Sequence, residues 1–555
     1  MVSGEIRRHR ERSSDPGMTG IMQIEAFLAS KDNFRVAPER MIPTPWPFHQ
    51  RCPTESAASV FNAMKSQFQS IVEEYGIRSE RIDMHSIAQK EKEETRRDCL
   101  IIETKDQDVS NWSNAANQLQ TVLSETTLTP GTFQVEIRNP DLFYADRSSI
   151  LPDDPDLISC IQAIRDQVLQ MALRKLGKNC TSIGYHSRKA KWDKSPAKPS
   201  VLIFVRPGTL AVWEDVERSL LQAIRGDEFP EITLSLEILV GEVHIGAARG
   251  STSDISKGLR YLELENMVPF NGSSIGVPGR SPDSGTLGGW LRLESQETGE
   301  NFCGFLTCYH AIAMGDEENV LENNTCGIGL CGKNSQHVPK IEVVWPSEYD
   351  REAWKSEIQT LIEQGEASNS ERNILAMLSQ AKTSESIGSV RFASGFEQRT
   401  KSGARLDWAF VESPKTFRRN TPPPPQFNQS LIPGRNFVYA PTGNDFVHSL
   451  GRIKPGDWVV RQGRTSIGHG QVNRIQRHVI WEEHPPSEEV EIMGFGDDFG
   501  RAGDSGSWVV NRHFELVGML IGMDRASSED VGLVTPIHDI IDDIEKRTSC
   551  VVSFP

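Results

Sequence analysis

Gly503-Asp504-Ser505-Gly506-Ser507-Trp508 is the stretch from which the fold can be read. A serine between glycines, with an acid before it and the apolar run Trp508-Val509-Val510 after it, suits a strained nucleophile turn that runs into a strand. Glycine adopts backbone dihedrals that a side chain forbids. It also leaves the N–H groups of Gly503 and Ser505 free to face a developing oxyanion, which is worth roughly 3 kcal/mol per donor. Such a turn needs a base, and a group to orient the base. Phe305-Leu306-Thr307-Cys308-Tyr309-His310-Ala311 is a short apolar strand running into a histidine. Arg405-Leu406-Asp407-Trp408-Ala409-Phe410-Val411 sets an aspartate at the head of another.

These three stretches resemble the chymotrypsin-like (trypsin-fold) serine proteases. Gly503 to Ser507 matches their GDSGS signature, Leu306 to His310 is similar to their LTAAH segment, and Asp407 to Phe410 to their D-[IW]-A-L strand. The order His, Asp, Ser is that of chymotrypsin, not of subtilisin or the α/β-hydrolases. The resemblance implies a double six-stranded β-barrel over residues 272–555, with no cofactor and no metal. It implies that His310 takes the proton of Ser505 and returns it to the leaving amine, while Asp407 fixes the imidazole tautomer. The oxyanion donors would be Gly503 and Ser505. Ser284 to Leu291 resembles the first barrel strand. Gly463 to Val472 resembles a second-barrel hairpin, with Ile467 shifting its later glycines. By offset, Phe499, Ile521, Gly522 and Gly532 should line the substrate pocket, with Asp497 and Asp498 near in sequence. An apolar or small residue before the scissile bond is the expectation. In trypsin-like zymogens the acid matching Asp504 pairs with a newly cut amine. Ser273-Ser274-Ile275-Gly276 is a poor substitute for the segment that supplies it, which speaks against activation by that route and leaves Asp504 to hydrogen-bond local amides.

The chain has 555 residues, room for two or three domains. Its net charge of −16 argues against nucleic-acid and anionic-membrane partners, which need a basic face. It holds nine cysteines, an odd number. Secreted relatives carry a cysteine just after the histidine and another shortly before the serine; here Ala311 and the stretch Asp498 to Ala502 stand there. Both features predict a reducing compartment. Cys326 and Cys331 lack a matching second pair and read as ordinary thiols. Residues 1–15 are polar, and no stretch reaches the roughly 18 apolar residues of a membrane span. The expectation is a soluble cytoplasmic protein.

Residues 1–53 read as a disordered or extended N-terminus, charged at first and then proline-rich. Residues 54–245 read as α/β. A helix carrying Val60, Met64, Phe68, Ile71 and Val72 precedes a strand at Cys99 to Glu103, a helix from Trp112 and a strand at Phe133 to Ile137. A helix over 156–176, a strand at Val201 to Val205, a helix from Trp213 and a strand at Ile232 to Val240 repeat that order. Leu100 precedes Trp112 by the same interval as Val201 precedes Trp213. This predicts a duplicated unit, 54–140 and 155–241, against the alternative of two unrelated α/β stretches. A regulatory or binding domain with an unknown partner follows. Residues 246–271 form a linker. Within 272–555, helical spacing over 347–382 marks an insertion in the β domain, Pro422 to Pro425 a stiff connection, and His538 to Lys546 a closing helix.

The functional expectation is an intracellular serine endopeptidase acting on protein or peptide substrates. The layout is similar to fungal cytosolic signalling proteases that carry a prodomain, which implies self-cleavage within 246–281. The alternatives are a catalytically silent protease-fold scaffold, and an N-terminal interaction module whose protease domain limits its lifetime.

Overall fold

The computed structural model describes residues 3–6, 20–90, 92–126, 133–190, 195–225, 229–245, 269–280, 284–330, 340–380, 385–414, 419–425, 438–495, 499–524 and 531–555. Two compact units divide the chain, Met1–Glu242 and the region from Val243 onward.

The first unit contains the same plan twice. In one copy, Phe48–Arg51 precedes the helix Glu55–Glu74, the hairpin Ser79–Gln89 and Lys92–Thr104, the helix Trp112–Thr126 and the strand Phe133–Arg138. In the other, Asp146–Ser149 precedes Pro155–Leu176, Cys180–Ala190, Lys198–Val205, Trp213–Ile224 and Thr233–Val240. The pairings agree as well: antiparallel, antiparallel, then parallel across the second helix. Leu100 pairs with Val135 as Val201 pairs with Leu236, and Ile101 with Glu136 as Leu202 with Glu237. Both tryptophans that open the second helices are fully buried. Thr54 and Asp154 cap the first helices by accepting N–H groups of the opening turn. Each copy buries its glutamate against an arginine: Glu136 with Arg35 at 2.7 and 2.8 Å, Glu237 with Arg188 at 3.1 and 3.2 Å. Order, pairing and register thus agree between the two stretches.

Order begins earlier than the expected disordered or extended stretch over 1–53. Ser3–Ile6 adds a parallel strand beside Thr233–Val240. The helix Ile24–Ser30 buries Ile24 and Phe27, and Phe27 stacks on Trp213 at 5.7 Å. Two helical turns with two buried apolar anchors are too short to show a period, which hid the helix among the charges and prolines. Residues 7–19, and 246–268 of the expected linker, lie outside the described residues.

The second unit is built from two rings of antiparallel strands. In the C-terminal ring, Trp458–Gln462 pairs with Ile467–Val472, then come Ser487–Gly494, Val531–Pro536, Leu516–Asp524 and Trp508–Asn511, which returns to Trp458–Gln462. Six strands close completely. In the other ring, Ser274–Ile275 pairs with Gly285–Thr286, which continues into Gly289–Ser295; then follow Asn301–Cys308, Trp408–Glu412, Glu385–Ala393 and Glu342–Trp345. A bridge between Gly276 and Val344 closes this ring. Helices Glu348–Glu363 and Asn369–Gln380 form the insertion, with Trp354, Ile358, Ile374 and Leu378 as a core of their own. The closing helix is Ile537–Thr548, and a strand unmarked in the sequence, Cys550–Ser553, pairs back onto Gly289–Ser295.

Candidate active site

The first ring supplies a histidine and an aspartate. His310 stands two residues after Asn301–Cys308, and Asp407 precedes Trp408–Glu412; Cys308 and Trp408 are paired, so the two meet at the end of one ladder. His310 Nδ1 lies 2.6 Å from Asp407 Oδ2, and His310 N–H donates to Asp407 Oδ1 at 3.0 Å. Both carboxylate oxygens therefore hold the same residue. Phe396 stacks along the imidazole with its centroid 6.2 Å away and its plane within 9°.

The second ring supplies Ser505, in the turn before Trp508–Asn511. Asp504 N–H donates to Arg501 O at 3.0 Å, and Gly503 stands third in that turn with φ of +89°, where only glycine is unstrained. Gly506 has φ of +93°, and a Cβ there would lie 2.6 Å from Thr307 Oγ1 and 3.1 Å from Cys308 N. Its missing side chain lets the turn press against the strand that carries His310. Thr286 joins the two rings: its N–H donates to Ser505 O at 3.0 Å, and its Oγ1 donates to Gly503 O at 2.8 Å. Ser505 Oγ and His310 Nε2 are buried, and neither makes a hydrogen bond among the described residues. Among the described residues the Gly503 and Ser505 N–H groups donate to no protein acceptor.

Asp504 is fully buried and is held entirely by this chain. Arg461 Nη2 lies 2.9 Å from Oδ2. Thr465 N–H at 2.7 Å and Thr465 Oγ1 at 2.6 Å donate to Oδ1, and Ser466 Oγ at 2.6 Å and Arg501 N–H at 2.9 Å to Oδ2. Local amides and an ion pair thus share the carboxylate. Arg461 was not singled out from the sequence; the only signal is a cation following Trp458-Val459-Val460. A second buried pair lies against Gly503. Arg464 Nε and Nη2 donate to Asp350 at 2.6 and 2.8 Å, and Nη1 donates to Ala502 O at 3.3 Å. A Cβ on Gly503 would come within 1.6 Å of that Nη1. Asp350 sits in the first turn of the insertion, so the inserted helix is anchored beside the serine turn.

Among the described residues, one cluster of three potential metal donors occurs, Cys308, His310 and Asp407. Burial and the neighbouring Asp407 hold the Cys308 thiol far above its ordinary pKa, so it stays protonated and is a poor ligand. The expected pocket residues separate. Phe499 is fully buried in the core of the C-terminal ring, with its ring against Gly532, where a Cβ would lie 2.3 Å from Cδ1. Ile521 is buried in the core cluster that also contains Cys308 and Ala311. Gly522 lies on a strand edge paired with Ile245. Asp497 and Asp498 lie outside the described residues.

Two outcomes test this geometry. Arg461→Met should leave Asp504 buried without its cation and lower stability to chemical denaturation by about 3–5 kcal/mol; an unchanged midpoint would contradict the lock. Glu489, whose Oε1 accepts Arg405 N–H at 3.0 Å two residues before Asp407, is pushed by burial up to about 7. Below the ordinary carboxyl value both folded and unfolded states hold the proton, and the stabilisation is complete. It is lost as pH rises toward 7, because the unfolded chain ionises first. Glu489→Gln should therefore gain thermal stability over the wild type on going from pH 5 to pH 8, and a difference independent of pH would contradict this.

No protein family model matches the chain, and no curated protein matches it. Solved structures do. Thermobifida fusca protease A is 12% identical, over 52% of this chain and 98% of its own, with a TM-score of 0.27. Cellulomonas bogoriensis chymotrypsin is 13% identical over 52% and 97%, with a TM-score of 0.26. Nocardiopsis protease is 12% identical over 51% and 98%, with a TM-score of 0.27. Overlaps this low add little to the strand pairings, which define two antiparallel six-stranded rings unaided. The chain is a mixed α/β protein whose second unit has the chymotrypsin-type fold.

Proposed function

We propose that the chain is a serine endopeptidase that hydrolyses peptide bonds through an acyl-enzyme on Ser505. His310 takes the hydroxyl proton as Ser505 attacks the carbonyl carbon, and returns it to the amine as the C–N bond breaks. Water, deprotonated by the same ring, then releases the acid. Asp407 keeps Nδ1 protonated and stabilises the imidazolium. The Gly503 and Ser505 N–H groups receive the oxyanion. One observation carries this reading: both Asp407 oxygens hold His310, while His310 Nε2 and Ser505 Oγ, the atoms that would exchange the proton, have no partner among the described residues. The proposal keeps an apolar or small residue before the scissile bond. The proposal includes self-cleavage within 246–281 and a reducing compartment, in keeping with eight free cysteines among the described residues. No helix among the described residues is long and apolar enough to cross a membrane.

A catalytically silent scaffold is the second reading. It is favoured by the same two atoms, since no hydrogen bond joins Ser505 Oγ to His310 Nε2. Such bonds are often loose without substrate and tighten in the Michaelis complex. A fluorophosphonate probe separates the readings. It should label Ser505 in the wild type, with a rate reduced about 10³-fold or more in His310→Ala. Purified wild type should be cut within the linker while Ser505→Ala stays whole. Wild type that takes no probe would favour the scaffold.

A further inference from the structure

We propose that a hollow at the rim of the C-terminal ring away from Ser505 binds a small polyanion of the oligophosphate class. Trp508–Asn511 leads from the serine turn to this rim, and Asn511 lines the hollow. The site is built from loops of the ring itself and stands apart from the protease reading.

The hollow holds about 610 Å³, within the roughly 300–1,000 Å³ of small-ligand sites. Two turns form its walls. In Lys454-Pro455-Gly456-Asp457, Asp457 N–H donates to Lys454 O at 3.1 Å and Gly456 has φ of +84°, a turn that proline followed by glycine favours. Gln471 Nε2 pins this turn by donating to Gly456 O at 2.8 Å. Asn511 organises the other: its Oδ1 accepts His513 N–H at 2.9 Å and Glu515 N–H at 3.1 Å, and its Nδ2 donates to Glu515 Oε2 at 2.8 Å. Gly451 N–H donates to Leu516 O at 2.8 Å, so the segment carrying Arg452 is held against this second turn. The walls are preformed, and a ligand need not order them on binding.

The charge of the hollow names its ligand. Arg452, Lys454, Arg512 and His513 line it and are exposed. Among the described residues Arg452, Lys454 and Arg512 form no ion pair. Arg512 Nε donates to His513 Nε2 at 3.2 Å, which leaves its two Nη groups for a ligand. Two carboxylates also line the hollow, and neither neutralises these bases. Glu515 is turned back onto Asn511. Asp457 is half-buried, and burial holds its carboxyl above the ordinary carboxylate range despite Lys454, Arg512 and His513 nearby. Cations that share one recess repel each other, and an anion placed among them reverses the sign of that interaction. Arginine forks match phosphate oxygens two at a time. A single phosphate cannot reach bases on both turns across a space of this size, whereas two or three linked phosphates can. A recess suits a small molecule, and the net charge of −16 on the whole chain opposes a long polyanion running out over the surface.

The test is calorimetric titration of the full-length Ser505→Ala chain with sodium tripolyphosphate and with inorganic phosphate at matched ionic strength. Tripolyphosphate should bind one per chain, and phosphate at least about tenfold more weakly. Arg452→Gln combined with Arg512→Gln should weaken tripolyphosphate at least about tenfold. Asp457→Asn, which removes the one half-buried negative charge, should tighten it about threefold. Lys401→Gln, an exposed base elsewhere on the same unit, should leave it unchanged. The single arginine variants carry the test where the double variant does not fold. No saturable binding, or the same loss in Lys401→Gln as in the arginine variants, would overturn the proposal. A single-stranded oligonucleotide bound more tightly than tripolyphosphate through the same arginines would overturn the small-ligand class. Because Ser505 is absent from the protein titrated, neither result bears on the protease reading.

Discussion

An aspartate sealed in the interior sets the shape of the site. An ionised carboxylate out of water is sustained only by a cation and a full set of donors. Asp504 has both, from Arg461 on the Trp458–Gln462 strand, from Thr465 and Ser466 in the hairpin that follows, and from Arg501 in its own turn. The hairpin and the serine turn consequently fold as one piece. Gly463 is part of the same fit, since a Cβ there would lie 2.4 Å from Asp504 Oδ1. Ser505 cannot swing away without stripping donors from the residue before it. The partner that a newly cut amine provides in trypsin-like zymogens is here a side chain of the ring itself.

The two rings contribute unlike halves of the proposed site. The first holds the histidine and aspartate at the ends of neighbouring strands, where ladder pairing fixes their separation. The second holds the serine in a turn whose glycines permit close approach. Thr286 ties the halves together through Ser505 O and Gly503 O. The inserted helix adds a further constraint, because Asp350 holds Arg464 against the turn. A segment that looks dispensable by length is therefore wired into the site.

The parts legible in the sequence were those with local signatures. His310, Asp407 and Ser505 each stand in a motif of a few residues, and the repeated interval from strand to tryptophan matches the shared order of elements in the first unit. What escaped was long-range or short. Arg464 and Asp350 are 114 positions apart, and nothing local in either announces the other. Arg461 looked like one charge in an apolar strand. The helix Ile24–Ser30 has too few turns to display a period. Phe499 fell at the expected offset, yet its ring fills the space that the side chain missing from Gly532 leaves; offset alone cannot say whether a residue lines a cavity or fills it.

The central claim is that Ser505 forms a covalent acyl intermediate with His310 as its base. The most direct measurement is the pre-steady-state release of the leaving group from an activated ester, with intact mass recorded alongside. The account predicts a burst close to one equivalent per chain, with the acyl mass on the peptide containing Ser505 and both signals absent from Ser505→Ala. Linear release without a burst, with no adduct at any time under conditions that trap slow deacylation, would contradict it.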